Sequence, residues 1–348
     1  MKAIVIHEFG GPEVLRYEDV PDPVAGAGEV VVEVHAVSVN RVLHVVLRQG
    51  GQAHRGIALP LIPGVDPSRV VSAVGDGVTH VAPGDRVTIL AYVVPTGSGP
   101  GFDAERNVSG QVEMLGIHRN GGDAELVKVA QHNVFPSPEG VSFAEATVIS
   151  RHAPTAYNLL VNMARLEAGE WVLIMGASGN LGTLGIQIAK SRGATVIAAA
   201  GSAERVQVGL DLGADHGIDY RAQDLTEEVM RITDGSGVNV VYDNIADPEN
   251  CPKAIAALAQ RGRLVTAGAH AGPVVPVNFY TLYHNQLTIM GNPENRTEDL
   301  EPCLQEAAAG RLRVRIDRIM PLSQAQEAHR LIENEPGIGK IILDPTLG

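Results

Sequence analysis

Hydrophobic and polar positions are arranged in two textures along this chain. Within residues 1–152, short β-branched runs such as Glu29–Val34 and Arg69–Gly75 are punctuated by Asp-Gly, Pro-Gly and Gly-Asp pairs. That is how a compact, largely antiparallel β domain reads. From Tyr157 onward, apolar β runs alternate with helical patterns, the sign of βαβ units on a parallel sheet. Trp171–Met175 is a continuous apolar strand, as expected for one buried on both faces. Leu181, Leu184 and Ile188 follow at helical spacing, and the pattern stops at Gly193, a suitable C′ residue. Further strands are predicted at Thr195–Ala200, just before Tyr220, at Val238–Tyr242, Arg263–Ala267 and Leu287–Met290, with Val206 and Leu210 on a second helix. The tail returns to mixed elements: a helix near 298–309, a strand near 312–319, a helix near 325–333 and a strand at 340–343. Pro95–Gly101 has no periodicity and reads as an irregular loop.

Composition narrows the class. The 348 residues exceed a single core, and 45% are hydrophobic, so two folded domains are expected rather than a disordered polyelectrolyte. Lys and Arg number 27 against 40 Asp and Glu, a net charge of −13, and no basic run occurs. This argues against a general nucleic-acid binder or an anionic-membrane surface protein, while a local basic pocket stays compatible with the net charge. Two cysteines, Cys251 and Cys303, supply neither a disulfide framework nor a four-thiolate zinc site, and a reducing cytoplasm is the expected location. No apolar stretch is long enough to span a bilayer, and the opening MKAIVIHEFGG is too short of apolar residues for a signal-peptide core.

The sharpest chemical signal follows Met175. Gly176-Ala177-Ser178-Gly179-Asn180-Leu181-Gly182 runs from a buried strand straight into a helix and fits the dinucleotide fingerprint with Ala177 in the first glycine position. A small residue at 177 permits the tight turn, Gly179 lets the backbone approach a pyrophosphate, and Gly182 lets helix and strand pack closely. The pyrophosphate would rest on the helix amides and dipole. After the second strand the acidic residue that would hold a ribose 2′-hydroxyl is missing; Ser202 and Arg205 stand there instead, which favours NADPH over NADH. Against this, Ser202 is also a natural N-cap, and Glu204, if turned inward, would favour NADH.

Together these features resemble the medium-chain dehydrogenase/reductase superfamily from end to end. The resemblance is carried by MKAIVIHEFGGPEVLRYEDVPDP, Ser38-Val39-Asn40-Arg41, Pro63-Gly64-Val65-Asp66, Pro83-Gly84-Asp85-Arg86-Val87, Gly121-Gly122-Asp123-Ala124-Glu125, the glycine turn, Leu212-Gly213-Ala214-Asp215 and Gly339–Leu343. It implies an α/β fold: a GroES-like β domain built from 1–152 and 292–348, and a Rossmann doubly wound parallel-sheet domain over 153–291. It aligns the three catalytic zinc-ligand positions with Asn40, Val65 and Arg151, and the structural zinc lobe with Pro95–Asn107, which has no cysteine. Zinc is therefore not expected, and the chain resembles the zinc-independent quinone oxidoreductase and enoyl reductase branch. One misfit stands out: Val42-Leu43-His44 replaces the usual hydrophobic–Asp pair, and Arg48 and Gly50 lie further along than in the family.

By the same resemblance, Thr155 heads the helix entering the Rossmann domain beside the nicotinamide, Tyr220 packs near the 2′-phosphate, and Lys340 is a basic residue on the cofactor side. Asn244, Gly268 and Asn292 follow strand ends, where open α/β sheets bind ligands. On the substrate side, Asn40 is the first candidate for an amide donor to the carbonyl, His44 for the proton donor, and Arg48 and Arg151 for attracting an anionic oxygen; Asp66 reads as structural. The expected reaction is hydride transfer from NADPH to a quinone or an α,β-unsaturated carbonyl, and the resemblance implies a homodimer or homotetramer. A metal-free alcohol or aldehyde dehydrogenase and a non-catalytic NADPH-binding protein are the alternatives.

Overall fold

The computed structural model describes residues 1–51, 56–93, 113–292, 296–334 and 337–348. Pro95–Gly101, read as a loop, and the Pro95–Asn107 lobe fall outside the described residues. The chain divides into two compact units: 1–151 with 300–309 and 315–348, and 152–299 with 310–314.

In the first unit the Val-rich run at 29–34 becomes the long strand Glu29–Ser38, which pairs antiparallel with Ser68–Val74 and with Leu126–Ala130. Arg86–Ile89 and Val134–Pro136 extend the sheet. The other flank comes from the far end of the chain. Lys340–Asp344 pairs antiparallel with Glu29–Ser38, registering Ile342 on Ser38 and Leu343 on Val37, and Ile316–Pro321 lies parallel beside it. One parallel pair thus closes an otherwise antiparallel sheet. Alternate residues of these strands (Val30, Val32, Val34, Val71, Val87, Leu343) are buried in one core, where the hydrophobic effect supplies the main stabilisation. The same pairing brings Lys340 to Asn40.

The second unit carries six parallel strands in the order His216–Asp219, Thr195–Ala200, Trp171–Met175, Val238–Tyr242, Leu258–Thr266, Thr288–Gly291. Numbered along the chain this order is 3-2-1-4-5-6, the doubly wound arrangement in which strand order reverses between the first and fourth strands and leaves a ligand crevice at their carboxyl ends. Leu258–Thr266 begins earlier than the sequence pattern predicts, because Leu258 pairs with Val238 across a register shift that the local pattern does not encode. Helix Asn180–Ser191 stops as expected, with Gly193 at φ +80°.

Candidate active site

The first and fourth strands deliver the glycine turn and Asn244 to the crevice. Gly179 is an extended N-cap with no side chain to cap the helix. The amides of Ser178, Asn180, Leu181 and Gly182 find no acceptor among the described residues. Four donors without a described acceptor and the positive end of a twelve-residue helix therefore lie in this one turn, the arrangement that binds a pyrophosphate. Gly182 is there for packing: a Cβ on it would stand 2.2 Å from the Gly176 carbonyl oxygen. Gly179 is there for access, since the nearest atom to its virtual Cβ is 3.4 Å away. Ala177 is buried against the sheet and its N–H donates to Ala199. The Tyr242 hydroxyl donates to the Leu181 carbonyl at 3.2 Å, pinning the first helical turn to the fourth strand.

At the end of the second strand, Ser202 caps the next helix, its Oγ accepting from the Arg205 amide at 3.3 Å. Its oxygen is committed to the backbone, so the cationic character of this corner comes from arginines. Tyr220 Oη and Arg221 Nε lie 3.2 and 3.1 Å from the place a Cβ on Gly201 would occupy. Arg205 and Arg221 both act electrostatically on the half-buried Tyr220, whose hydroxyl burial pushes up in pKa. Sequence reasoning missed Arg221; its position directly after Tyr220 at a strand end was the available signal.

Asn244 Oδ1 accepts from Ala267 N at 2.7 Å, and a Cβ on Gly268 would come within 2.9 Å of the Asn244 carbonyl oxygen, so the fourth and fifth strand ends meet. Asn292 donates its N–H to Thr266 at 3.0 Å. Beside Asn244, Ala246 holds φ +54°, a conformation non-glycine residues adopt at some cost. Thr155 lies inside helix Phe143–Tyr157 rather than at its head, buried one residue beyond Pro154. The helix starts earlier than expected because Ser142 caps it, Ser142 and Glu145 exchanging side-chain bonds to each other's backbone N–H in a capping box.

In the first unit a polar cluster gathers around Asp66. Its Oδ1 accepts from Ser38 N at 2.8 Å, and its Oδ2 from Ser38 Oγ at 2.5 Å and Asn40 Nδ2 at 3.3 Å. Thr147 Oγ1 donates to the Asp66 carbonyl. Asn40 Oδ1 accepts from Lys340 Nζ at 2.5 Å. The Asn40 side chain, expected to face a substrate carbonyl, is thus held from both ends by protein groups. Lys340, expected on the cofactor side, is bonded to Asn40. Burial brings the Lys340 ammonium down to about 8, with Arg151 acting in the same direction and Asp66 against it.

His44 and Arg48 are both fully buried. His44 Nδ1 accepts from Asn40 N at 3.1 Å, which puts the proton of the neutral ring on Nε2, 3.6 Å from Asp123 Oδ2. Arg48 donates to Gly10 O, His329 Nδ1 and Glu333, so it clamps the chain ends together. The misfit seen in the sequence is a π-helical segment, Arg41–Val46, in which Asn40 O accepts from both His44 N and Val45 N. A π turn is what one added residue makes of a helix, and it absorbs the longer distance to Arg48. A separate cavity of about 720 Å³ in this unit, lined by Val5, His7, Glu18, Leu61 and Leu90 among others, touches none of the predicted site residues.

At the three positions aligned with zinc ligands stand an amide already bonded, a buried hydrocarbon at Val65 and the cation Arg151. This donor set does not fit zinc, which takes thiolate, imidazole or carboxylate. Among the described residues no group of three or more His, Cys, Asp and Glu could hold a metal.

A split β unit and a doubly wound nucleotide-binding sheet define a medium-chain dehydrogenase/reductase, and the chain belongs to that superfamily. Residues 26–139 match the alcohol dehydrogenase GroES-like domain and residues 181–309 the zinc-binding dehydrogenase domain. Within the superfamily it falls in the quinone oxidoreductase branch of NAD(P)H-dependent oxidoreductases. It is 30% identical to the quinone oxidoreductase of Mus musculus over 353 residues, 99% of this chain and 97% of the relative. Among solved structures, an NAD-dependent alcohol dehydrogenase superposes with a TM-score of 0.91 at 35% identity, covering 99% of both chains. The Escherichia coli quinone oxidoreductase complexed with NADPH superposes at 0.80 with 26% identity, covering 99% of this chain and all of that one. No helix among the described residues is long and apolar enough to cross a membrane.

Proposed function

We propose that this chain reduces a quinone or an α,β-unsaturated carbonyl with NADPH and without zinc. The observation that carries the cofactor choice is the corner at Gly201, where Tyr220 and Arg221 lie against the turn and Arg205 and Arg221 act on Tyr220, with Asp247 and Asp243 acting in the opposite sense. The amides of Ser178, Asn180, Leu181 and Gly182 would hold the pyrophosphate, and the two guanidinium groups the 2′-phosphate. When bound, the reduced nicotinamide supplies a hydride. Asn244, Gly268 and Asn292, at consecutive strand ends, would line the crevice. On the substrate side the reading rests on the misfit of Asn40, Val65 and Arg151 to zinc and on the quinone oxidoreductase relatives. Neither His44 nor Arg48 is assigned a part in the chemistry, because burial and internal bonds keep both from an acceptor.

NADPH oxidation screened over quinones, enones, alkenals and enoyl thioesters tests this reading, which turnover by none of these classes would overturn. A second reading, a metal-free alcohol or aldehyde dehydrogenase, draws support from the 35% identical alcohol dehydrogenase; alcohol oxidation with NADP⁺ would favour it. Self-association belongs to the same proposal. Thr288–Gly291 is the edge strand of its sheet, and nearby Phe279, Tyr280 and Tyr283 are 73, 61 and 67% exposed, an apolar surface of the kind subunits cover. Sedimentation of a homodimer or homotetramer, shifted toward monomer by Tyr283→Glu, is the expected result.

A further inference from the structure

We propose that Arg151, backed by the buried ammonium of Lys340, pairs with the oxygen that turns negative when the acceptor is reduced. This deepens the reading above and rests on it for the identity of the acceptor. Helix Phe143–Tyr157 carries Thr147 and Arg151 four residues apart, so both side chains sit on one helix face. Thr147 bonds Asp66, which fixes that face over the Asp66–Asn40–Lys340 cluster. Arg151 adds to the positive field acting on Lys340. Its Nε is buried without a partner, and no described hydrogen bond or ion pair uses its guanidinium.

Asp66 acts on the Lys340 ammonium, and its carboxylate oxygens already accept from Ser38 N, Ser38 Oγ and Asn40 Nδ2. A half-buried guanidinium that no described residue bonds is costly to keep, and a substrate oxyanion would pair with it. The site therefore takes an enolate or a hydroquinone monoanion. When a hydride from the reduced nicotinamide adds to the β-carbon of an enone, the C=C electron pair shifts toward the carbonyl and the charge settles on its oxygen. The nicotinamide is left oxidised, and a proton from water then adds at the α-carbon. Arg151 stabilises that oxygen in a partly desolvated place, where a fixed cation does most.

The test uses the full chain as Arg151→Ala and Arg151→Lys, with 4-nitrophenol as a probe anion that needs no turnover. Wild type should bind the phenolate and lower the apparent pKa of the bound phenol; Arg151→Ala should lose this, and Arg151→Lys should keep part of it. With an accepted enone or quinone, Arg151→Ala should cut kcat/KM by about 10²–10³-fold with unchanged NADPH affinity, and added guanidinium should restore part of the rate. Equal phenolate binding by wild type and Arg151→Ala, or no binding by wild type, overturns the proposal. Absence of any acceptor in the screen would instead defeat the reductase reading, and the phenolate titration would still decide whether Arg151 forms an anion site. Matching melting curves for the variants exclude misfolding as the cause.

Discussion

The two glycines of the dinucleotide turn should separate stability from binding. In Gly182→Ala the new methyl must fit 2.2 Å from the Gly176 carbonyl oxygen, 2.9 Å from the Gly176 carbonyl carbon and 3.0 Å from Ala177 Cα. Every one of these neighbours is backbone in a turn held by the Ala177–Ala199 and Gly179–Gly176 bonds, so none yields as a side-chain tip would. Replacing glycine by alanine inside a helix gains up to about 1 kcal/mol of propensity. Overpacking against rigid backbone costs about 1–3 kcal/mol or more, and the clash prevails. At roughly 2–4 °C per kcal/mol for a unit of this size, a lower melting temperature by several degrees is expected. Gly179→Ala meets nothing closer than 3.4 Å and keeps an ordinary φ of −78°, so its melting temperature should fall little. Its methyl, however, stands where the pyrophosphate must approach the amides. Losing one or two charge-assisted hydrogen bonds at about 1.5–3 kcal/mol each weakens NADPH binding by roughly 10–10⁴-fold. Calorimetric melting and NADPH fluorescence titration of both variants check this. A Gly182→Ala protein that melts like wild type, or a Gly179→Ala protein that binds NADPH like wild type, refutes the reasoning.

Arg205→Ala and Arg221→Ala should each weaken NADPH binding by about tenfold or more while leaving NADH binding nearly unchanged; parallel titrations giving equal losses for both cofactors would remove the 2′-phosphate assignment. Burial and the nearby Asp243 push the Cys251 thiol up to about 12, so a disulfide exchange reagent at pH 8 should leave it unlabelled until the chain is unfolded, and rapid labelling of native protein would contradict its burial. Because burial brings Lys340 from 10.5 down to about 8, the folded chain binds that proton more weakly than the unfolded chain. Wild-type stability should therefore rise relative to Lys340→Met as pH climbs from 8 to 10.5, by up to roughly 3 kcal/mol. Urea unfolding at pH 7.5 and 10 measures it, and a constant difference between the two proteins defeats the prediction.

What the sequence disclosed was local. Trp171–Met175, the glycine turn, Leu184 and Ile188 and the stop at Gly193 are neighbours along the chain, and each is written by period, turn chemistry or a cap. The parallel sheet was legible because strands buried on both faces leave continuous apolar runs. The pairing of Lys340 with Asn40 was not, because it depends on Ile342 registering with Ser38 across the length of the chain, and no local pattern specifies a partner that distant. Arg221 was missed for the opposite reason: its own surroundings are polar and exposed, and only folding sets its Nε beside Gly201. Ser202 carried two readings in the sequence, and the structure uses it as a cap.

The spacing anomaly after Asn40 links the fold to the site. An extra residue between Asn40 and Arg48 would rotate everything beyond it around the helix axis if it were added as regular helix. The π segment takes up that residue locally, as Asn40 O bonds both His44 N and Val45 N. Arg48 can then still reach Gly10, His329 and Glu333 and tie the two ends of the chain together. The cost falls on His44, which the turn drives inward to Asp123, with Nδ1 engaged by the Asn40 amide. A histidine so placed holds the Asn40 backbone amide, while Lys340 donates to the Asn40 side-chain oxygen. The insertion therefore makes His44, which looked like a substrate contact, a support for the Asn40 backbone, and Arg151 is a cation beside this cluster that no described residue bonds.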